Sequence, residues 1–81
     1  MNKSVSVSYY AILREQRGLG TEEVPTMAVT ASDLYEELRA RHGFTLPASR
    51  VRVAVNDDFQ PWGVAVEDGD RIAFLPPVAG G

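Results

Sequence analysis

Period-two alternation opens the chain: Val5, Val7 and Tyr9 interleave with Ser4, Ser6, Ser8 and Tyr10, which predicts a half-buried strand with the first set turned inward. From Ala11 to Arg17 that alternation is lost, and the segment ends at Gly18, so it reads as a short helical turn or loop. A weak strand follows near Glu22-Glu23-Val24, and Pro25 limits it to a sheet edge because proline has no amide to give to a ladder. The pattern then turns helical. Thr30-Ala31-Ser32-Asp33 has the capping-box form, and Gly43 suits the left-handed position past a helix end, which predicts a helix from about Ala31 to His42. Its apolar stripe is Ala31, Leu34, Tyr35, Leu38 and His42. Asp33, Glu36 and Glu37 precede Arg39 and Arg41 off the stripe, an order that suits the helix dipole.

Alternation resumes at Val51-Arg52-Val53-Ala54-Val55, followed by a turn at Asn56-Asp57-Asp58 and a short apolar piece from Phe59 to Trp62. Glu67-Asp68-Gly69-Asp70 predicts a second turn, and Arg71 to Leu75 the last strand, with Ile72 and Phe74 in phase. Two strands, a helix and further strands make an α+β chain. One amphipathic helix covers only one sheet face, so the expected architecture is a ubiquitin-like β-grasp roll, a mixed sheet with one main helix on one side.

The inward set, Val5, Val7, Tyr9, Val51, Val53, Val55, Ile72 and Phe74, leaves Tyr10, Ala54, Ala73 and Leu75 on the uncovered face, joined by Phe59 from the turn. Side by side, these residues predict an apolar docking surface for a partner protein. The plainer alternative is that Tyr10 and Leu75 are single exposed apolar residues, which are common.

Eighty-one residues suffice for one domain. Eight basic and eleven acidic side chains give a net charge of −3, and seven of the eight cations are arginines scattered without a cluster, which argues against nucleic acid as a partner. The opening Met1-Asn2-Lys3-Ser4 lacks the apolar core of a signal peptide and no stretch has membrane-spanning length, so a cytoplasmic protein away from membranes is expected. Cysteine is absent, which removes disulfides, thiolate metal sites and a thiol nucleophile. His42, the one histidine, fits a packing or dipole-complementing role and has no visible base partner. The acidic runs at 57–58 and 67–70 lack EF-hand spacing and read as turns. Ser4, Ser6 and Ser8 have strand spacing and no nucleophile-elbow motif, and Trp62 suits either the end of the core or a docking face.

Chemistry is expected instead at Val78-Ala79-Gly80-Gly81, a four-residue tail beyond a domain spanning residues 1–77. Pro76 and Pro77 have fixed φ and no amide donors, so they end sheet pairing and favour an extended projection. Gly80 and Gly81 carry no Cβ, so the walls of a narrow active site can close around them and reach the carboxylate. That carboxylate, with an ordinary pKa of about 3.5, is ionised and inert as an acylating agent until phosphoanhydride activation gives it a leaving group. Activation must come from another protein, since the chain has no phosphate-binding loop. Four residues extend by about 13 Å, a reach suited to a pocket beneath a docked domain.

Val55-Asn56, the run Gly69-Asp70-Arg71-Ile72-Ala73-Phe74-Leu75-Pro76-Pro77-Val78-Ala79-Gly80-Gly81 and the opening Tyr9-Tyr10-Ala11-Ile12-Leu13-Arg14-Glu15 resemble the small subunit of molybdopterin synthase, the MoaD family. The likeness covers nearly the whole chain. It implies a sulfur carrier that binds no cofactor of its own: a ubiquitin-activating-type enzyme uses ATP to adenylate Gly81, and a sulfur donor converts the adenylate to a thiocarboxylate. The large catalytic subunit of molybdopterin synthase then receives the tail, and the sulfur attacks a pterin precursor during molybdenum cofactor biosynthesis. The chain is thus implied to be a sulfur-donating subunit without a self-sufficient active site, in a heterotetramer of two carriers on a dimer of large subunits. On this reading Gly81 and Gly80 carry the chemistry, while Tyr10, Phe59, Leu75, Pro76, Pro77, Val78 and Ala79 meet the partner. Two alternatives are carried forward: a β-grasp carrier for thiamine, cysteine or tungsten cofactor assembly, and a ubiquitin-like modifier or plain binding module.

Overall fold

The computed structural model describes residues 3–77, and the tail residues Val78, Ala79, Gly80 and Gly81 lie outside them. In chain order the elements are β1 (Lys3–Tyr9), α1 (Ala11–Arg17), β2 (Thr21–Thr26), α2 (Ala31–His42), β3 (Arg52–Val55), β4 (Asp58–Gln60) and β5 (Arg71–Leu75), with a 3₁₀ turn at Ala48–Arg50 before β3. The sheet order is β2-β1-β5-β3-β4. β1 and β5 pair in parallel at its centre, and the other pairings are antiparallel, which gives the mixed sheet of a β-grasp roll.

Local signals account for the main helix. Thr30 Oγ1 accepts from the Asp33 amide at 3.2 Å, and Asp33 Oδ2 accepts from the Thr30 amide at 3.3 Å, so the capping box is formed. Two more amides of the first turn are satisfied from outside: Ala31 donates to the Val64 carbonyl and Ser32 to the Trp62 carbonyl, both at 3.0 Å. Gly43 ends the helix at φ 72°, a conformation that would strain any larger residue.

Alternation in the strands and the stripe on α2 meet in one core. Val5, Val7, Tyr9, Val53, Ile72 and Phe74 face Leu34, Tyr35 and Leu38, all essentially buried. Each such side chain contributes about 1.5 to 3 kcal/mol relative to exposure. Trp62 belongs here and not to a docking face: its ring stacks on Phe74 at 5.9 Å and its Nε1 donates to the Val51 carbonyl at 3.2 Å. The Tyr35 hydroxyl reaches the Leu46 carbonyl at 2.6 Å, so both amphipathic aromatics pack in or against the core with the polar end satisfied, Tyr35 fully buried and Trp62 half-buried.

Three expectations shift. The first strand ends at Tyr9, so Tyr10 is not a strand residue but the extended N-cap of α1. The turn after β3 has two residues, Asn56 and Asp57, at φ 51° and 76°, and Asp58 already belongs to β4. Paired left-handed residues match the twist of a tight hairpin, and Asn and Asp tolerate them best. Val55, placed with the inward set, is only half-buried at the end of β3 and packs against the core from its margin.

Candidate functional site

Register builds the uncovered face. Across its middle row, Ala73 faces Ser8 on β1 and Ala54 on β3, and Ala54 in turn faces Phe59 on β4. Small residues in the centre make a shallow trough. Tyr10 and Phe59 stand at its rim, 49% and 55% exposed, so both remain available for contact. One row on, Leu75 faces Arg52 and is half-buried. Tyr10 follows Tyr9, which faces Phe74, so the parallel register carries Tyr10 to the level of Leu75 even though it is off the strand. The predicted set Tyr10, Phe59 and Leu75 therefore shares one face.

Pro76 and Pro77 leave this face between two depressions. One, of about 590 Å³, is lined by Arg50, Val51, Arg52, Phe59 and Leu75 with both prolines. The other, of about 360 Å³, is walled by Ala11, Ile12, Glu15 and Leu46 with the same prolines. The root of the tail is thus flanked by a depression of mixed apolar and guanidinium character on one side and a mainly apolar one on the other. Val78, Ala79, Gly80 and Gly81 fall outside the described residues, so their predicted roles rest on chemistry and not on placement.

Arg52 and Ile12 were not singled out from sequence. The Arg52 guanidinium lies over the Phe59 ring, 3.9 Å from its centroid, so the rim presents a stacked cation and not a bare aromatic. With the two-residue turn, Ala54 faces Phe59 and Arg52 becomes its diagonal neighbour, a signal a three-residue reading hides. Ile12, 41% exposed, sits on a helix too short to show a periodic stripe.

A second polar cluster lies at the β1–β2 edge. Glu22 accepts from the Tyr9 hydroxyl at 2.6 Å and from Arg17 Nε and a terminal Arg17 nitrogen, each at 2.8 Å, and His42 Nε2 stands 4.0 Å away. These donors, the Arg17 hydrogen bonds above all, hold the Glu22 carboxyl down at about 2. Burial, then the Glu22 hydrogen bond, pushes the Tyr9 phenol up, while burial and the Arg17 charge push the His42 imidazole down. The cluster ties β1, α1, β2 and α2 together and accounts for His42 as a packing residue.

Around the tail root, then, the described residues offer contact: apolar walls and two guanidinium groups. Among them no group of three His, Asp or Glu is placed to hold a metal, and no helix is long and apolar enough to cross a membrane.

A profile of the ThiS family matches residues 7–81. The chain is 32% identical over 80 residues to the molybdopterin synthase sulfur carrier subunit of Haemophilus influenzae, covering 95% of this chain and 99% of that one. It superposes on SAMP1 from Haloferax volcanii with a TM-score of 0.78 at 27% identity, covering 96% and 99% of the two chains. In Helicobacter pylori, a complex of subunits 1 and 2 of molybdopterin-converting factor contains a chain matched at a TM-score of 0.64 and 26% identity, with coverage of 96% and 99%.

Proposed function

We propose, from the premise that this chain belongs to the ThiS family, that it is the sulfur carrier subunit of molybdopterin synthase. The observation that carries the reading is the seat of Pro76 and Pro77: they end the central strand on the open apolar face, between two depressions a docked partner can fill. Residues 1–77 are the docking body, and residues 78–81 the working tail.

The Gly81 carboxylate attacks the α-phosphorus of ATP on a ubiquitin-activating-type enzyme, pyrophosphate leaves, and an acyl adenylate results. A sulfur donor then displaces AMP, leaving a thiocarboxylate that the large synthase subunit receives and spends on a pterin precursor. Glycines at 80 and 81 let the tail thread a narrow passage, and about 13 Å of reach beyond Pro77 brings the sulfur to a buried site. Tyr10, Phe59 and Leu75 bury apolar surface against the large subunit, which orients the tail. A heterotetramer in the cytoplasm suits this cycle, with ATP bound by the activating enzyme and not by this chain.

The test is intact mass after incubation with the host's activating enzyme, ATP and sulfide. One oxygen of the terminal carboxylate should be exchanged for sulfur, and a chain lacking Gly81 should stay unchanged. No exchange in the full chain would overturn the carrier assignment, and co-purification with a thiazole synthase in place of the large synthase subunit would overturn the pathway. The likeness to SAMP1, the small archaeal modifier protein 1 of Haloferax volcanii, favours a second reading, a protein modifier, whose mark would be isopeptide adducts between Gly81 and lysines of other host proteins.

A further inference from the structure

The chain is acidic, with a net charge of −3, yet one spot beside the tail root is cationic. Among the described residues, four of the seven arginines already have a carboxylate partner, Arg17 with Glu22 and Arg71 with Asp57 at 2.8 Å being the closest pairs. Arg50 and Arg52 have none there. Both are exposed, and both line the larger depression, whose walls contain no Asp or Glu.

Local geometry prepares Arg52 for a partner. Strand β3 places it opposite Leu75, and the hairpin brings Phe59 beside it, with the guanidinium carbon 3.9 Å from the ring centroid. The ring supports the cation without neutralising it, and a side chain already held in one place loses less freedom on binding. Arg50 closes the 3₁₀ turn just before β3, so two permanent charges border the depression from one stretch of backbone.

Charge and shape select the occupant. A guanidinium fork matches the two oxygens of a carboxylate, and the pair gains strength where water is excluded. Two such groups on an acidic chain are too few to hold a polyanion such as nucleic acid, whose affinity grows with the number of phosphates neutralised. One or two carboxylates on a folded protein fit. The depression is continuous with Leu75, Pro76 and Pro77, where the carrier reading seats the large synthase subunit, so a body docked there lies over both arginines.

We infer that Arg50 and Arg52 are specificity residues of this interface: they receive Asp or Glu side chains of the large subunit, Arg52 donating from its seat on Phe59. This rests on the carrier reading above. Apolar contact through Tyr10, Phe59 and Leu75 has little directional preference, whereas a covered charge pair admits one register and rejects a surface that presents cations.

The test uses the full chain and the host's large subunit. By calorimetry, Arg52→Gln should bind about tenfold more weakly than wild type, and Arg52→Glu more weakly still because like charges repel. Arg50→Gln should weaken binding as well. Arg41→Gln, which removes a cation paired to Glu37 on α2, should bind as wild type does. Partner chemistry is read directly with Arg52→Lys, which keeps the charge. A carbodiimide should join the amine at position 52 to the large subunit, giving a conjugate one water lighter than the two chains together, and peptide mapping should place the new amide on an Asp or Glu. Should an Arg52 variant lose its native circular dichroism, Arg50→Gln and carbodiimide coupling of Arg50→Lys answer the same question. Wild-type affinity in folded Arg52→Gln and Arg50→Gln, tighter binding of Arg52→Glu, or coupling only at Lys3 and never at position 52 would overturn the inference. Wild type is titrated alongside, so absence of binding by every chain fails the carrier assignment, whereas equal binding by every chain fails this inference alone.

Discussion

At the scale of single residues, Glu22 carries more of the fold than its place in a short edge strand suggests. Its carboxylate accepts from Tyr9 and Arg17, each donor on a different element. The folded carboxyl titrates near 2 against an ordinary 4.5, so between those values the unfolded chain binds a proton that the fold does not. Its contribution is therefore full above about pH 4.5 and drains away as pH falls toward 2. His42, pushed below its ordinary 6.5, acts with the same sign and starts the loss at milder acidity. Glu22→Gln should lower stability at neutral pH by about 2 kcal/mol and flatten the acid limb, as read by urea unfolding at neutral pH and inside that window. An unchanged acid limb would assign the loss to other groups. None of this was visible in the sequence, because Glu22 and Arg17 meet across a turn whose geometry local patterns do not encode.

Among elements, legibility follows how local each signal is. The bounds of α2 were readable to the residue, since Thr30, Asp33 and Gly43 act within a turn of the helix ends. β5 was equally plain from the Asp70 turn to Pro76. By contrast α1 buries only Leu13, and seven residues give no period to read. Its entry is unusual: Ala11 sits at φ 52°, in the left-handed region that costs an L-residue about 1 to 2 kcal/mol. Extended Tyr10 followed by this bend steers the chain off the sheet and delivers Leu13 to the core. Ala11→Gly should relieve that strain and raise stability by up to about 1 kcal/mol, seen as a higher melting temperature. A melting temperature equal to or below wild type would mean that the bend costs no more than the freedom glycine adds to the unfolded chain.

For the whole molecule, the uncovered sheet face was legible from alternation alone, because one main helix covers only the other side. What escaped was how that face is finished. Arg52 covers Phe59 only once hairpin register makes them neighbours, and Ile12 joins the tail root only once α1 is folded against it. Leu75 lies where the open face, the larger depression and the tail meet, so Leu75→Asp should weaken binding to the large synthase subunit at least tenfold with little change in melting temperature. Calorimetry with that subunit checks this, and equal affinity would remove Leu75 from the interface. The position of β5 in mid-sheet has a consequence for biogenesis. Last of the described strands in sequence, β5 is the keystone between β1 and the β3–β4 hairpin, so a nascent polypeptide that has not yet exposed Arg71–Leu75 has a gap down the middle of its sheet. The sheet can close only once β5 has left the ribosome, and a fragment broken off before Arg71 has nothing to join its two halves.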